Sequence, residues 1–474
     1  MAQISTGEGK TLITAVFVVY HVLDNWSNGR RFVDIITSSS VLAEANVTEM
    51  KWFFDLFGIV VANNCDAECS EDENKRRLRY NSDVIYGDLS SFQRDILLSN
   101  FFSERKITNG RIASAVVVDE VDSMLLDKGE NILYLSHKIP EMDDLTQVFV
   151  EIWNAVHAPD VAMSDESAQA TVYRFIKLRL EEGDIVIPKC LETYVHRHLL
   201  AWTRNAFRAK NLVTTKDSYK VDDVGDGHGQ QIVIMDKETG VEQVQMHWSQ
   251  GLHQFLQLKH TLKLSPVSLK AVFMSNIGFF EECKDDGRRT ALYGMTGTLG
   301  STAECQLLHD VFNVDFFKMP RHKRRFCIEE DPLLASSKEK WLENISNATQ
   351  TQLDKGRAVL IVCENIAAAE EIHTELLLKQ SHDKKNPSQI VKYVSSFDKE
   401  FQKKQHDSAL GPGDVIVATN LAGRGTDLKI NDELAENGGL HVVIGYVPAN
   451  ARVEAQIEGR AARAGQPGSF QFVV

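Results

Sequence analysis

The sequence contains little cysteine, with seven residues of this type among 474. Their number is odd and their spacing irregular, which argues against a disulfide framework as the basis of the fold. Cys65 and Cys69 lie four residues apart, but no second pair at zinc-ligand spacing accompanies them. Scattered thiols of this kind are typical of a reducing compartment.

Long apolar runs are also missing. No stretch reaches the roughly 18 apolar residues that a bilayer-spanning helix needs. Met1 is followed by AQISTGEGKT, which lacks the basic stretch and apolar run of a secretory leader. We therefore expect a cytoplasmic protein without a transmembrane segment, whose contact with a membrane, where it occurs, is peripheral.

Positive charge is in deficit, because 52 basic side chains face 66 acidic ones and the net charge is −14. Binding to nucleic acid needs clustered lysine and arginine, so this balance argues against it, although a local basic groove on an acidic protein stays compatible. The length and the 43% hydrophobic content predict about three globular domains, each able to bury a core.

Short apolar runs alternate with helical patterns near both ends of the chain. This rhythm predicts an α/β protein with parallel sheets covered by helices. Runs of β-branched residues, such as AVVV at 115–118, are typical of strands buried on both faces. Strands are predicted at 32–37, 83–86, 115–118, 358–363, 390–394, 415–419 and 440–444.

The middle of the chain has a different character. Residues 166–208 predict charged helices, and a hairpin is predicted from 218–221 and 231–235 around a Gly/Asp-rich loop. A helical stretch over 252–280 and a strand with its turn at 292–298 are expected to follow. This pattern indicates a module inserted into an α/β domain.

The segment TGEGKT at 6–11 has the composition of a phosphate-binding loop. Glycines allow backbone amides to close around phosphate oxygens, a lysine reaches the β- and γ-phosphates, and a hydroxyl holds Mg²⁺. The alternative is a glycine-rich helix N-terminus without a ligand. The predicted ATP-binding residues here are Gly7, Glu8, Gly9, Lys10 and Thr11.

A second motif, VVVDE at 116–120, places two carboxylates at the end of an apolar strand. Together with Thr11, Asp119 is predicted to hold Mg²⁺. Glu120 is predicted to orient or deprotonate the attacking water. Alone, this motif is also compatible with an acidic turn after a strand, but its pairing with the phosphate loop favours an ATP site.

Two arginine-containing segments lie near the end of the chain. In QIEGRAARAG at 456–465, Arg460 and Arg463 are three residues apart, so they are expected on one face of a helix. Their guanidinium groups suit developing phosphoryl charge, and both are predicted to be catalytic. Gln456 is predicted to contact the nucleotide. Arg424 and Asp427, after the strand predicted at 415–419, are expected to couple nucleotide to lobe movement.

Together these motifs resemble the motor core of superfamily 2 helicases, and within that group the ATPase of the SecA preprotein translocase family. The chain resembles this family over nearly its whole length and in the family's order, and WSQGLHQ and the long MTGT and GRGTD contexts are far more specific than the phosphate loop. The segments are TGEGKT at 6–11, DVIYG at 83–87, VDEVDSMLLD at 118–127, WSQGLHQ at 248–254, GMTGT at 294–298, ATNLAGRGTD at 418–427, GGLHVV at 438–443 and GRAARAGQPGS at 459–469.

The resemblance implies two RecA-like lobes that bind ATP and Mg²⁺ between them, and an inserted α+β domain similar to the preprotein cross-linking domain. In the family this domain clamps an unfolded polypeptide, and a membrane translocon is the implied partner. The implied limits are 1–127 with 263–330 for the first lobe, 128–262 for the inserted domain and 331–474 for the second lobe.

The chain also departs from the family pattern. Ile4 occupies the place of the first phosphate-loop glycine, and Leu98 replaces a family arginine. The strand before the phosphate loop, the adenine-reading motif and the C-terminal scaffold are expected to be missing, which predicts a core truncated at both ends. Two alternatives therefore stay open: a helicase that acts on nucleic acid, and an inactive fragment that binds nucleotide or polypeptide.

Overall fold

The structure is a computed structural model of the 474-residue chain. Its contacts divide the chain into two compact units, Met1–Leu133 with Met274–Val474, and Tyr134–Asp236 with Glu242–Phe273. The three sets of domain limits expected from the sequence stay a prediction, because this division separates two units. The structure describes residues 1–5, 7–27, 31–66, 68–69, 72–101, 107–138, 140–159, 166–211, 219–223, 229–235, 242–243, 247–265, 268–285, 290–382, 390–393, 409–419, 428–463 and 465–474.

The first lobe is built on a seven-stranded sheet in the order β12-β1-β11-β5-β2-β4-β3, and every neighbouring pair is parallel. Its central strands are apolar and buried, since helices cover a parallel sheet on both faces. The strands are β1 (Ala2–Gln3), β2 (Val33–Thr37), β3 (Val61–Asn63), β4 (Val84–Asp88), β5 (Ala115–Asp119), β11 (Ala291–Thr296) and β12 (Phe317–Lys318).

Two helices of this lobe begin at serine residues that cap them. Ser39 caps its helix by accepting a hydrogen bond from the backbone of Leu42, and Ser301 forms a capping box with Glu304. The helices are Lys10–Asp24, Ser40–Asp55, Glu73–Arg79, Leu89–Phe101, Asn276–Asp285 and Thr302–Phe312, and a π-helix spans Asp122–Asp127.

The expected loss of the strand before the phosphate loop is wrong. Ala2–Gln3 form β1, which lies between β12 and β11 in the sheet. Ile4 follows it, is 1% exposed, and donates its backbone N–H to the carbonyl of Thr296 over 2.8 Å. An isoleucine at this position therefore fills the core of the lobe, and β1 is paired on both of its sides.

The second lobe has a six-stranded parallel sheet in the order β13-β18-β17-β14-β16-β15. The strands predicted near its centre are confirmed, because continuous β-branched runs are buried on both faces. The α/β class with two RecA-like sheets is thus confirmed. The strands are β13 (Phe326–Leu333), β14 (Ala358–Cys363), β15 (Ile390–Tyr393), β16 (Val415–Thr419), β17 (Leu440–Ile444) and β18 (Pro467–Val473), with helices Lys338–Asp354, Ile366–His382, Asp432–Glu436 and Ala451–Glu458.

The second compact unit is mostly helical. The predicted hairpin is confirmed as an antiparallel pair of β7 and β8, to which β9 adds a third strand. The helices bury an aromatic core in which Phe149 and Trp202 meet at a ring distance of 4.8 Å. Its elements are β6 (Ile132–Lys138), the 3-10 segments Pro140–Leu145 and Lys189–Leu191, helices Thr146–Val156, Glu166–Glu181, Glu192–Asn211 and Leu252–Lys259, and strands β7 (Tyr219–Asp223), β8 (Gln230–Met235), β9 (Glu242–Gln243) and β10 (Ser268–Ser275).

The prediction of one helical stretch over 252–280 is wrong. The helix ends at Lys259, and Thr261 adopts a positive φ of 57°, outside the helical region. β10 and a separate helix, Asn276–Asp285, follow. Pro266 also disfavours a continuous helix here, because proline lacks the N–H that a helix needs.

Candidate functional site

The phosphate loop connects β1 to the helix Lys10–Asp24. Gly7 and Gly9 have φ of 84° and 80°, in the left-handed region that glycine adopts without strain. Gly9 is the N-cap, so the first backbone N–H groups of a 15-residue helix follow the loop. Such an N-terminus favours an anion, because its N–H groups and the helix dipole both face negative charge.

Lys10 meets both carboxylates of the second motif, the predicted metal ligand Asp119 and the predicted catalytic residue Glu120. Its Nζ donates a hydrogen bond to Glu120 and lies 3.9 Å from Oδ1 of Asp119. The three side chains are 14–22% exposed. Burial lowers the pKa of Lys10, but the carboxylates of Glu120 and Asp119 outweigh it and leave the pKa raised. The sheet therefore brings together residues that are 110 positions apart in the sequence.

Asp119 ends β5, and Glu120 follows with a φ of 58°, a strained value for a residue that is not glycine. The backbone N–H of Glu120 donates to Oδ1 of Asp119 over 3.1 Å. Burial raises the pKa of Asp119 to about 6; Lys10 lowers it, and Glu120 raises it. The carboxylates of Asp119 and Glu120 thus lie in different environments at the carboxyl end of the central strand β5.

The donor set at this edge fits Mg²⁺. Thr11 lies in the first turn of its helix, and its hydroxyl is the type of hard oxygen ligand that Mg²⁺ prefers, as is the carboxylate of Asp119. Among the described residues, no group of three or more His, Cys, Asp or Glu could hold a metal ion by itself. Proteins bind Mg²⁺ through one or two side chains together with nucleotide phosphates.

Gln456 joins the two lobes. Its Nε2 donates to Oδ2 of Asp122 over 2.6 Å and to Oγ1 of Thr298 over 3.1 Å. Asp122 also accepts hydrogen bonds from Thr296, at 2.7 Å, and from Thr298, at 2.8 Å. Three side chains from two lobes, those of Thr296, Thr298 and Gln456, thus donate to one buried carboxylate.

Arg452 lies one helical turn before Gln456 and makes a second connection between the lobes. Its guanidinium donates to Glu304 and lies 2.8 Å from Oδ1 of Asp127. The side chain is 8% exposed. A buried guanidinium between two carboxylates is a strong, directional contact. Asp127 ends the π-helix after β5, so both interlobe connections reach that short helix.

The expectation that Arg460 and Arg463 share a helix face is wrong. The helix ends at Glu458 and Gly459 is its C-cap. Arg460 is buried at 4% exposure in the turn that follows, and Nε of Arg463 donates to the carbonyl of Gly459 over 3.2 Å. Ala462 adopts a φ of 56°, which a helix does not allow. The catalytic role of the two arginines stays a prediction.

Three predicted nucleotide-binding residues remain, namely Glu8, Arg424 and Asp427. Oε2 of Glu8 accepts a 3.0 Å hydrogen bond from the backbone N–H of His322, so its carboxylate contacts the segment between the lobes. Arg424 and Asp427 lie outside the described residues, and their roles stay predictions.

Apart from Gln456, the residues of the interlobe contacts were not predicted as site residues from the sequence. The available sequence signal was membership of the family-like segments: Asp122 lies in VDEVDSMLLD, and Thr296 and Thr298 lie in GMTGT. The sequence signal for Arg452 was weaker: Arg452 precedes Gln456 by four residues, which places both side chains on one helix face. In the part of the chain that the structure describes, no helix is long and apolar enough to cross a bilayer.

Two family models match the chain. The SecA DEAD-like domain matches residues 1–308, and the helicase conserved C-terminal domain matches residues 337–465. A structure of the DEAD-box helicase Mss116 bound to ssRNA and UDP-BeF is similar with a TM-score of 0.50 at 12% identity, covering 100% of this chain and 66% of that one. A likeness at this identity concerns the fold alone.

Similar curated proteins include the protein translocase subunit SecA of Campylobacter fetus, 26% identical over 489 residues, and that of Caldicellulosiruptor saccharolyticus, 28% identical over 501 residues. The alignments cover 100% of this chain and 53% and 54% of the relatives. The chain thus spans about half the length of the curated relatives it matches. Since the SecA DEAD-like model alone matches well over half of its residues, the chain belongs to the SecA DEAD-like family.

Proposed function

We propose that the chain is the motor core of a SecA-like ATPase, which hydrolyses ATP to move an unfolded polypeptide. The observation that carries this proposal is the meeting of Lys10 with Asp119 and Glu120. One basic group and two carboxylates converge beside a glycine loop and a helix N-terminus. This combination suits a triphosphate with its metal ion.

Each residue then has a specific task. Backbone amides around Gly7 and Gly9 bind phosphate oxygens, and Lys10 exchanges its carboxylate partners for the anion. Thr11 and Asp119 hold Mg²⁺, which when bound neutralises charge on the phosphates. Glu120, released from Lys10, orients the attacking water and accepts its proton.

The second lobe completes the site in this proposal. Arg460 and Arg463 stabilise the charge that develops on the transferred phosphoryl group. Gln456, Arg424 and Asp427 respond to the nucleotide from the same lobe. Gln456 already reaches the first lobe through Asp122, so its helix can transmit a change at the end of β5.

The polypeptide substrate is proposed from the family. The matched relatives are named protein translocase subunit SecA, and the unit that contains Tyr134–Asp236 is proposed as a domain similar to the preprotein cross-linking domain. Trp248 and His253 of the WSQGLHQ segment lie in this unit, where they support its core rather than the ATP site. The proposed partner is a membrane translocon, approached peripherally from the cytoplasm.

The test is steady-state ATP hydrolysis by the purified chain alone, with an unfolded polypeptide, and with single-stranded RNA. We expect turnover that polypeptide stimulates and that Glu120→Gln abolishes. Lys10→Ala should also remove turnover, because it deletes the phosphate contact. The matched control is Lys51→Ala, which removes an exposed lysine paired with Asp55 on a helix surface and should leave turnover unchanged.

The same experiment decides between the other functions. Stimulation by RNA instead of polypeptide would support a nucleic-acid motor, and it would contradict the proposed substrate while leaving the ATP site intact. Unchanged turnover in Lys10→Ala would contradict the site. Complete absence of turnover under all conditions would favour a fragment that only binds nucleotide or polypeptide.

A further inference from the structure

The two lobes of the motor are joined by a short basic linker, residues 319–325, between β12 and β13. Its sequence, MPRHKRR, carries four cationic side chains and one histidine. A basic run of this kind could be a solvated surface or a contact for nucleic acid. The linker contacts the phosphate loop at one end and the arginine-containing segment of the second lobe at the other.

The first end of the linker is bound to the strand and the loop that carry Lys10. Met319 donates its backbone N–H to the carbonyl of Gln3 over 2.9 Å, next to the pairing of β12 with β1. His322 donates its backbone N–H to Oε2 of Glu8, inside the phosphate loop, over 3.0 Å. A shift of the phosphate loop therefore reaches the linker through hydrogen bonds.

The other end is bound to the arginine-containing segment of the second lobe. Nη2 of Arg325 donates to the main-chain carbonyl of Glu458 over 2.6 Å, and Nη1 lies 3.7 Å from its carboxylate. Glu458 is the last residue of its helix, where free carbonyls and the helix dipole favour a cation. Arg460, a predicted catalytic residue, follows two positions later.

Lys323 adds a third contact, with the chain just past Arg463. A Cβ placed on Gly465 would come within 2.7 Å of Cδ of Lys323, so the aliphatic stem of the lysine lies directly against this glycine. The φ of Gly465 is 82°, which also requires glycine. The linker thus contacts the arginine-containing segment both before Arg460 and after Arg463.

We propose that Arg325 is a positioning residue: by holding the carbonyl of Glu458 it sets the placement of Arg460 and Arg463, and the hydrogen bond between Glu8 and His322 links that placement to the phosphate loop. This inference rests on the proposed ATPase function. Phosphate brings negative charge beside the carboxylate of Glu8, and the like charges repel. The resulting movement passes to His322, three residues before Arg325.

The experiment compares Arg325→Ala, Arg325→Lys and Arg324→Ala. Arg324 is exposed in the same linker, so its replacement removes the same charge without removing the bond to Glu458. ATP affinity is measured with a fluorescent ATP analogue, kcat and KM by steady-state hydrolysis, and folding by thermal unfolding. All variants are made in the full chain.

We expect Arg325→Ala to lower kcat by about 10–100-fold with nucleotide affinity changed less than about threefold, because a misplaced catalytic group costs rate rather than binding. Arg325→Lys should recover part of kcat, since lysine can still donate to the carbonyl. Arg324→Ala should behave as the unaltered chain. Combined with Glu8→Ala, the loss in Arg325→Ala should be less than additive, because both residues act through one linker.

Several outcomes would overturn the inference. Equal kcat in Arg325→Ala and Arg324→Ala would do so, as would additive losses with Glu8→Ala. The inference would also fail if lower thermal stability in Arg325→Ala and Arg325→Lys accounted for the whole loss of rate. Arg325 would then be a structural contact and not a positioning residue. Absence of turnover in the unaltered chain would instead overturn the proposed function, and this inference with it.

Discussion

Gln456 donates from Nε2 to Oδ2 of Asp122 over 2.6 Å, and this bond joins a helix of the second lobe to the π-helix that follows β5. Both residues are buried. The carboxylate also accepts from Thr296 and Thr298, which end β11 and its turn. The polar contact between the lobes thus starts two residues after Glu120, at the strand end that carries the proposed chemistry.

Replacing Gln456 should separate the contributions of hydrogen bonding and charge. Gln456→Ala removes two donated bonds but leaves Asp122 with its threonine donors. Gln456→Glu places a second carboxylate against Asp122 in a buried position. We expect Gln456→Glu to be less stable than Gln456→Ala by about 1–3 kcal/mol at neutral pH, because an unpaired buried charge is costly.

Chemical denaturation followed by circular dichroism measures this difference. If the glutamate variant protonates to avoid the repulsion, its deficit should shrink as the pH is lowered, whereas the alanine variant should show no such recovery. Equal stability of both variants at all pH values would contradict the arrangement around Asp122.

Removal of Arg452 should be costly, because it leaves two carboxylates without their shared cation. Arg452 is 8% exposed and lies between Glu304 and Asp127. We expect Arg452→Ala to lower the free energy of unfolding by about 2–4 kcal/mol, somewhat less than the about 3–5 kcal/mol for breaking a fully buried ion pair, because both carboxylates are partly exposed. Lys338→Ala is the control: its bond to Glu371 is exposed, so about 0–1 kcal/mol is expected.

Urea denaturation of the two variants provides the comparison. Because Arg452 joins the lobes, its loss should also split one unfolding transition into two. A loss for Arg452→Ala no greater than that for Lys338→Ala would show that the interlobe ion pair contributes little.

Two glycines of the second compact unit allow the stability cost of backbone strain to be measured apart from the cost of side-chain crowding. Gly251 and Gly183 have φ of 77° and 81°. A Cβ on Gly251 would approach Phe149 to 2.7 Å and Trp202 to 3.1 Å, whereas a Cβ on Gly183 would meet nothing within 4 Å. We expect Gly183→Ala to cost about 1 kcal/mol for the left-handed backbone alone. Gly251→Ala should cost about 1–3 kcal/mol more, because the ring pair must move.

Thermal unfolding of the two alanine variants, with near-UV circular dichroism for the tryptophan environment, tests this. Only Gly251→Ala should change the near-UV spectrum. Equal losses in both variants would mean that the aromatic core tolerates the added methyl group.

His441 should make the second lobe sensitive to acid. It is fully buried, its Nδ1 lies 2.7 Å from Oγ of Ser469, and burial, with Arg357 and Lys355 nearby, lowers its pKa to about 3. Oε1 of Glu330 lies 3.9 Å from Nδ1 of His441. The unfolded histidine binds a proton near pH 6.5, so stability is fully present above this pH and is lost as the pH falls towards 3.

At pH 5 this group alone should cost about 2 kcal/mol relative to neutral pH, because the unfolded state then holds one more proton. His441→Asn keeps an acceptor for the Ser469 hydroxyl and removes the titration, so its stability should vary less with pH. His253 is buried in the second compact unit, and its pKa is also lowered to about 3. The pH dependence of stability that remains in His441→Asn is compared with the contribution expected from His253. An unchanged pH slope in His441→Asn would contradict the assignment.

The parts of the fold that the sequence predicted are those set by local pattern. The runs at 358–363, 415–419 and 440–444 are strands because their consecutive apolar side chains need burial on two faces. The convergence of Lys10 with Asp119 and Glu120 was also foreseeable, since carboxyl ends of parallel strands meet at one edge of a sheet. Their chemical roles stay predictions.

The parts that escaped prediction depend on tertiary contacts. The helix ends at Glu458 and Ala462 adopts a positive φ, so Arg460 and Arg463 do not lie on a helix face. No helical pattern in the sequence predicts this end of the helix. Arg452 resembles a surface charge in sequence, and only its two partners, distant in the chain, show that it is buried. The strand β1 is two residues long, too short for any periodicity to reveal.

The order of the strands in the first sheet has a consequence for how the chain folds. β1 pairs with β11 and β12, whose residues follow it by roughly 300 positions, and β5 also borders β11. During synthesis, the phosphate loop therefore emerges long before its neighbours. The first lobe must wait for the second compact unit to be made before its sheet can close, which predicts slow, late maturation with a need for protection of the early strands from aggregation.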